Sequence, residues 1–155
     1  TPTQTVISGD LVALSAAIEL AIASGAHKVV RLAVSIAAHS PIMQRAAEQF
    51  NEAMSRFGLQ DAVIPVVSDI SARVMTSADD IRSELSRQLI SSVRWPDTVR
   101  EMVAGGVTTF VEVGPGEVLC TLIKRIDRKA QTLSISDAAS LHSSLKIFGG
   151  EAAIG

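Results

Sequence analysis

Residues 108–136 read TTFVEVGPGEVLCTLIKRIDRKAQTLSIS, and this stretch decides the fold class. A run of β-branched and apolar residues leads into a Gly-Pro-Gly turn, and apolar residues at helical spacing follow it. A second run of strand type closes the stretch. A strand, a helix and a strand in this order are typical of parallel strands joined by a crossover helix. The stretch therefore predicts an α/β fold.

The same alternation of strands and helices extends upstream and downstream. Asp10 is a predicted N-cap, Gly25 a predicted helix end, and Ser40 a predicted cap before Pro41. We expect strands at 6–7, 29–34, 63–67, 73–75, 108–113 and 131–136. We expect helices at 11–24, 41–58, 77–90, 95–104, 118–126 and 138–148.

The composition bounds the class of protein. The chain has 155 residues, of which 47% are hydrophobic and 19% charged, with a net charge of −2. This supports one packed domain and argues against disorder. We expect no nucleic-acid partner because no basic block is present. We expect no membrane span because the apolar stretch at 11–23 is short and contains Ser15 and Glu19.

Cysteine and histidine usage narrows the candidate chemistry. The only cysteine, Cys120, excludes an internal disulfide and fits a reducing, cytoplasmic location. His27 is predicted to lie in a solvated turn and His142 on the surface of the last helix. His39 follows an apolar strand and precedes a helix start, where α/β proteins place ligand-facing groups at the C-terminal ends of strands. It is either a functional histidine or a loop residue that caps the next helix.

Other motifs carry weaker signals. The turn at residues 114–116 is either an anion-binding turn or a tight connection from strand to helix. Its spacing excludes a dinucleotide fingerprint and a P-loop, and we expect neither a metal nor an organic cofactor. The acidic residues Asp79, Asp80 and Glu84 are predicted to form a solvated helix face. No Gly-x-Ser-x-Gly motif is present, so the sequence holds a candidate base without a recognisable activated serine.

Four segments in register resemble the malonyl-CoA:acyl-carrier-protein transacylases and the related acyltransferase domains of fatty-acid and polyketide synthesis. They are QTVISG at residues 4–9, VSIAAHSPIM at 34–43, RQL through VRW at 87–95, and FVEVGPGEVL at 110–119. The resemblance implies the C-terminal part of an α/β-hydrolase-like acyltransferase domain, with part of its inserted ferredoxin-like subdomain. Residues 1–35 would belong to the small subdomain, 36–150 to the large one, and 151–155 to a tail.

The resemblance also implies an activity and a set of site residues. The family moves a malonyl group from coenzyme A to the phosphopantetheine thiol of acyl carrier protein, through a serine and a histidine. His39 matches the catalytic histidine, and the backbone carbonyl of Gln88 is expected to orient it. Ala38 and Gln4 are expected to line the substrate pocket. The serine is expected in a missing upstream half of the domain, so the chain alone should be inactive.

Several alternatives stay open at this level. Ala38 stands where malonyl-selective members often have Phe, which leaves room for a substituted malonyl group. A helix-rich surface near Arg94, Arg100, Lys124 and Arg125 could instead make the chain a non-catalytic module that docks an acidic carrier protein. A hydrolase of the same superfamily fold, with water replacing the carrier thiol, is the third alternative.

Overall fold

The computed structural model describes residues 3–149, so the predicted tail at 151–155 lies outside the described residues. Its helices are α1 (Leu11–Ala23), α2 (Gln44–Ser55), α3 (Ala78–Gln88), α4 (Trp95–Ala104), α5 (Val118–Ile126) and α6 (Ala138–Ile147). Its strands are β1 (Val66–Val67), β2 (Val74–Met75), β3 (Thr109–Val113) and β4 (Gln131–Ile135). The described chain divides into two compact units. One is Thr5–Arg94, and the other runs from Trp95 onward and includes Thr3 and Gln4.

The unit from Trp95 onward has the predicted strand–helix–strand core. β3 and β4 pair in parallel, with Thr109 opposite Gln131 and Val113 opposite Ile135, and α5 connects them. The prediction for residues 108–136 is therefore confirmed. The buried core combines α4, β3 and α5 with the residue before β4; its members are Val99, Phe110, Ile123 and Ala130, with Trp95, Met102, Val103 and Ile126 packed against them.

The unit Thr5–Arg94 is built around α2 and α3. The guanidinium of Arg82 on α3 donates hydrogen bonds to the carbonyl oxygens of Met54 and Phe57 over 3.1 Å each. These carbonyls belong to the C-terminal end of α2 and the turn after it, where carbonyl groups lack partners within the helix. β1 and β2 form a short antiparallel hairpin, with Val66 opposite Met75 and Val67 opposite Val74. The return strand predicted at 73–75 is confirmed at two of its residues.

Two predicted strands are wrong. Residues 6–7 and 29–34 have no strand conformation, although both are rich in β-branched side chains. A strand is stable only when its backbone groups pair with a neighbour. Neither segment takes part in a strand pair within residues 3–149, and the apolar side chains Val6, Val30 and Val34 are exposed there. The predicted strand at 63–67 is shortened to β1 for the same reason.

The helix predicted from Pro41 begins differently from the expectation. Pro41–Met43 forms a 3₁₀ turn, and the α-helix α2 follows it. Ser40 makes no side-chain cap, because its Oγ donates instead to the carbonyl of Ala37 over 2.7 Å. The apolar residues of the predicted helix 41–58 recur at helical spacing, but they do not all face a core. Met54 is buried, whereas Ile42, Phe50 and Phe57 are exposed.

Helix ends agree better with the sequence prediction. The Asp10 carboxylate accepts hydrogen bonds from the backbone N–H groups of Val12 and Ala13, and Gly25 adopts a φ of 85° after α1. Asp137 caps α6, where its carboxylate accepts from the backbone N–H of Ser140. Among residues 3–149, no helix combines the length and the apolar character needed to cross a membrane.

Candidate functional site

His39 occupies a strained turn directly before the 3₁₀ start of α2. Its backbone φ is 58°, in the left-handed region that residues other than glycine rarely adopt. Two side chains hold the preceding loop. Ser40 donates to the Ala37 carbonyl, and Ser8 Oγ donates to the Ala38 carbonyl over 2.6 Å. Because such strain persists only where the surroundings enforce it, the turn marks His39 as a candidate functional residue.

The imidazole of His39 is oriented by the end of α3. Its Nδ1 lies 3.1 Å from the backbone carbonyl oxygen of Gln88, the last residue of the helix. A carbonyl oxygen only accepts hydrogen bonds, so Nδ1 carries the proton and donates it. The Nε2 lone pair is then the basic position of the neutral ring. The carbonyl contact that the resemblance implies is therefore present, with His39 half-buried.

The side chain of Gln88 is held as well. Its Nε2 donates a hydrogen bond of 2.8 Å to a carboxylate oxygen of Asp69, in the turn between β1 and β2. Neither Asp69 nor Ser8 was singled out by the sequence. Ser8 lies inside the QTVISG segment, so that motif could have identified it. Asp69 lies in no motif, and only the packing of the hairpin brings it to Gln88.

Glu84 corrects the prediction of a solvated acidic face on α3. Its side chain is 8% exposed, although Asp79 and Asp80 in the first turn are exposed as expected. One Glu84 oxygen accepts from the backbone N–H of Ser71 at 3.1 Å, and the other pairs with Arg87 at 3.1 Å. The correction follows from tertiary packing, since a buried carboxylate is tolerated when it gains such partners.

The other two predicted pocket residues belong to different units. Ala38 is half-buried next to His39 in the unit Thr5–Arg94. Gln4 belongs to the other unit, where its side-chain oxygen accepts a hydrogen bond of 3.0 Å from Arg125. An open cleft of about 580 Å³ in that unit is lined by three basic residues, Lys124, Arg125 and Arg128, and by one acidic residue, Glu117. We call it the basic cleft.

The turn at residues 114–116 acts as a tight connection. Gly114 and Gly116 have φ values of 141° and 94°, which other residues rarely adopt. The carboxylate of Glu112 accepts from the backbone N–H groups of Leu119 and Cys120 at 3.0 and 2.8 Å. Glu112 therefore occupies the N-terminus of α5, where an external anion would bind.

The environment of Cys120 does not favour a nucleophilic thiolate. Its thiol is buried, and it donates a weak hydrogen bond to the Leu133 carbonyl over 3.4 Å. Burial, followed by the nearby Glu112 carboxylate, raises the pKa of this thiol. A raised pKa keeps the thiol protonated at neutral pH, and the thiolate is the reactive form. Among residues 3–149, no group of three His, Cys, Asp or Glu side chains is arranged to hold a metal ion.

Comparison with known proteins identifies the family. The acyl transferase domain model matches residues 1–143. This chain belongs to the acyl transferase domain family. The chain is 40% identical over 145 residues to the malonyl CoA-acyl carrier protein transacylase of Bacillus subtilis, and 38% identical over 142 residues to that of Haemophilus influenzae. These alignments cover 94% and 92% of the chain but 46% of each relative, so the chain spans about half their length.

Solved structures of the family share the fold. The malonyl-CoA:acyl carrier protein transacylase of Xanthomonas oryzae is 37% identical, with a TM-score of 0.85, and the match covers 90% of this chain and 44% of that one. A malonyl-transacylase solved in complex with a type II polyketide acyl-carrier protein is 34% identical, also with a TM-score of 0.85, over 90% of this chain and 45% of that one. The α/β fold expected from the sequence is therefore that of these acyltransferases.

Proposed function

We propose that this chain contributes the histidine of a Ser-His site that transfers a malonyl group from coenzyme A to acyl carrier protein. The observation that carries the proposal is the hydrogen bond from His39 Nδ1 to the Gln88 carbonyl. The names of the relatives supply the substrate class. The nucleophilic serine is proposed to lie in an upstream segment, because no Gly-x-Ser-x-Gly motif occurs in these 155 residues.

In the proposed first half-reaction, His39 Nε2 takes the proton of the serine hydroxyl while its oxygen attacks the thioester carbonyl. The tetrahedral intermediate collapses, the carbon–sulfur bond breaks, and the imidazolium returns the proton to the coenzyme A sulfur. In the second half-reaction the carrier thiol gives its proton to Nε2 and attacks the acyl-serine ester. The serine oxygen leaves and regains the proton, so the site returns to its starting state.

The end of α3 suits this proton cycle. A backbone carbonyl holds Nδ1–H in one tautomer without placing a full charge beside the ring. The C-terminal end of a helix also carries partial negative charge. This charge complements the positive imidazolium that His39 becomes after each proton uptake. Gln88 thus performs the orienting role that a carboxylate has in other Ser-His sites.

The identity of the acyl group depends on Ala38. A small side chain beside His39 leaves space for an α-substituent, and one methyl group changes pocket discrimination by about 1–3 kcal/mol. We propose malonyl as the substrate, with a substituted malonyl group as the alternative. Competition between malonyl-CoA and methylmalonyl-CoA for carrier loading decides between them. Four further expectations also stay predictions: the subdomain boundary at residue 35, the pocket role of Gln4, the choice between fatty-acid and polyketide synthesis, and the cytoplasmic location.

The central experiment uses a protein that joins this chain to the serine-bearing segment. We expect His39→Ala to lower carrier malonylation by at least about 100-fold, because general acid-base catalysis typically contributes 10²- to 10⁴-fold. His142→Ala is the matched control, since His142 is exposed on α6. It should keep wild-type turnover. Normal turnover in His39→Ala would refute the role of His39. Free malonate released without carrier loading would favour the hydrolase.

The basic cleft favours a second candidate, a carrier-docking module. Lys124, Arg125 and Arg128 line one cleft, and acyl carrier proteins are expected to be acidic partners. Titration of labelled carrier protein against the Arg128→Glu variant tests docking separately from catalysis. Tight carrier binding that Arg128→Glu abolishes and His39→Ala leaves unchanged, with no carrier malonylation by the joined wild-type protein, would favour the module over the enzyme.

A further inference from the structure

Gln88 is anchored at two atoms, and only one of them belongs to the proposed proton cycle. Its carbonyl oxygen accepts from His39, while its side-chain Nε2 donates to Asp69 Oδ1 over 2.8 Å. Asp69 is half-buried and has no role in the reaction itself. All three residues belong to the unit Thr5–Arg94. The chain of contacts is therefore carboxylate, amide side chain, backbone carbonyl and imidazole.

The turn that carries Asp69 is rigidly built. Ser68 Oγ accepts from the backbone N–H groups of Ile70 and Ser71 at 3.0 and 2.8 Å, and Ser68 is 4% exposed. The Ser71 N–H also donates to the buried carboxylate of Glu84 on α3. The turn is thus tied to the same helix that ends at Gln88.

A further contact fixes the backbone of Asp69. The backbone N–H of Arg94 donates to the carbonyl oxygen of Asp69, and the Arg94 guanidinium donates to the Ser71 carbonyl at 3.4 Å. Ala72, in the same turn, adopts a left-handed φ of 56°. These contacts hold the backbone of the turn at Asp69, so its carboxylate can anchor the Gln88 side chain that it accepts from.

We propose that Asp69 is a positioning residue, whose carboxylate holds the Gln88 side chain and thereby aims the Gln88 carbonyl at His39 Nδ1. The inference rests on the proposed function of His39. Its physical basis is that Gln88 is the terminal residue of α3, where helices fray and carbonyls lack partners within the helix. A side-chain anchor restricts the rotation of this terminal peptide. The carbonyl then keeps His39 in the tautomer whose Nε2 is the base.

The kinetic test uses the joined, serine-bearing protein with four single variants and one double variant. We expect Asp69→Ala to lower kcat about 10- to 100-fold with little change in KM, since small misplacements of a catalytic group have effects of this size. Asp69→Asn keeps an acceptor oxygen and should restore most of kcat. Gln88→Ala keeps the carbonyl but removes the amide, so adding Asp69→Ala to it should cause no further loss. Asp79→Ala, an exposed carboxylate on α3, is the matched control and should have no effect.

The second readout does not depend on turnover. In ¹⁵N-histidine-labelled protein, the wild type should show His39 protonated at Nδ1, whereas Asp69→Ala should show a mixture of the two tautomers. An unchanged tautomer in Asp69→Ala, an equal loss in Asp69→Asn, or additive losses with Gln88→Ala would each overturn the proposal. Failure of the proposed function looks different, because His39→Ala would then retain turnover whatever the tautomer of its wild-type ring.

Discussion

His39 combines a backbone φ of 58° with a side chain that points its Nδ1 at a helix-end carbonyl. Two side-chain hydrogen bonds, from Ser8 and Ser40, hold the loop that leads into this turn. At the scale of single residues, the candidate site therefore consists of a strained position and the groups that enforce it. The sequence was enough to select His39 as a candidate. The groups that contact it lie up to 49 positions away along the chain.

Glu112 gives a residue-scale prediction about pH. The backbone N–H groups of Cys120 and Leu119 donate to its carboxylate and hold its pKa below the usual value. The carboxylate therefore stabilises the folded state above the ordinary glutamate pKa of about 4.3, and this stabilisation is lost as the pH falls through the depressed value.

We expect Glu112→Gln to lower the melting temperature at pH 7, because a neutral amide is a weaker acceptor for the N-terminus of α5. The difference from the wild type should be smaller at pH 3, which lies below the ordinary glutamate pKa of about 4.3, because the unfolded chain binds a proton there that the folded carboxylate must give up. Thermal unfolding followed by circular dichroism at both pH values checks this. A difference of the same size at pH 3 would show that the charge of Glu112 has no part in the effect.

At the scale of elements, the unit from Trp95 onward is organised by the contact of α4 and α5 with the parallel pair β3 and β4. Val99 on α4 is 0% exposed and lies in the buried cluster with Phe110 and Ile123. Val113, at the end of β3, is 79% exposed. The two valines are a matched pair for substitution by alanine. The change removes two methyl groups at each position, from a packed core at Val99 and from a solvent-exposed strand end at Val113.

We expect Val99→Ala to reduce the free energy of unfolding by about 2 kcal/mol, from lost burial plus the cavity that remains. Val113→Ala should change it by less than about 0.5 kcal/mol. Urea unfolding of both variants in the same protein makes the comparison. Equal effects for the two valines would mean that this helix–sheet core does not dominate the stability of the unit.

At the scale of the whole molecule, the region from residue 5 to residue 36 carries an unusual amount of exposed apolar surface. The large apolar side chains that are more than half exposed there are Val6, Ile7, Leu11, Val12, Leu20, Ile22, Val30, Leu32, Val34 and Ile36. An apolar surface of this extent normally marks a surface that binds another protein segment. The segments whose strand predictions failed, at 6–7 and 29–34, lie within it.

We therefore expect the isolated 155-residue chain to self-associate in solution. Light scattering over a concentration series should show a mass that rises with concentration. Replacing the exposed Val12 and Leu20 on α1 by serine should lower the degree of association, because both changes remove apolar surface without removing buried contacts. A wild-type chain that stays monomeric at every concentration would contradict the expectation.

The sequence by itself determined the order of the helices, the Asp10 cap of α1 and the parallel strand–helix–strand core at 108–136, and through its family resemblance it pointed to His39 and the Gln88 carbonyl as site candidates. These features depend on local chemistry: helical spacing, capping groups, glycine turns and short motifs. Only the tertiary structure decided that residues 6–7 and 29–34 are not strands, that Glu84 is buried, and that Asp69 and Ser8 support the site. Strand pairing, burial and hydrogen bonds between side chains each require a second segment that is distant in sequence. A local sequence pattern does not specify which distant segment will pack against it.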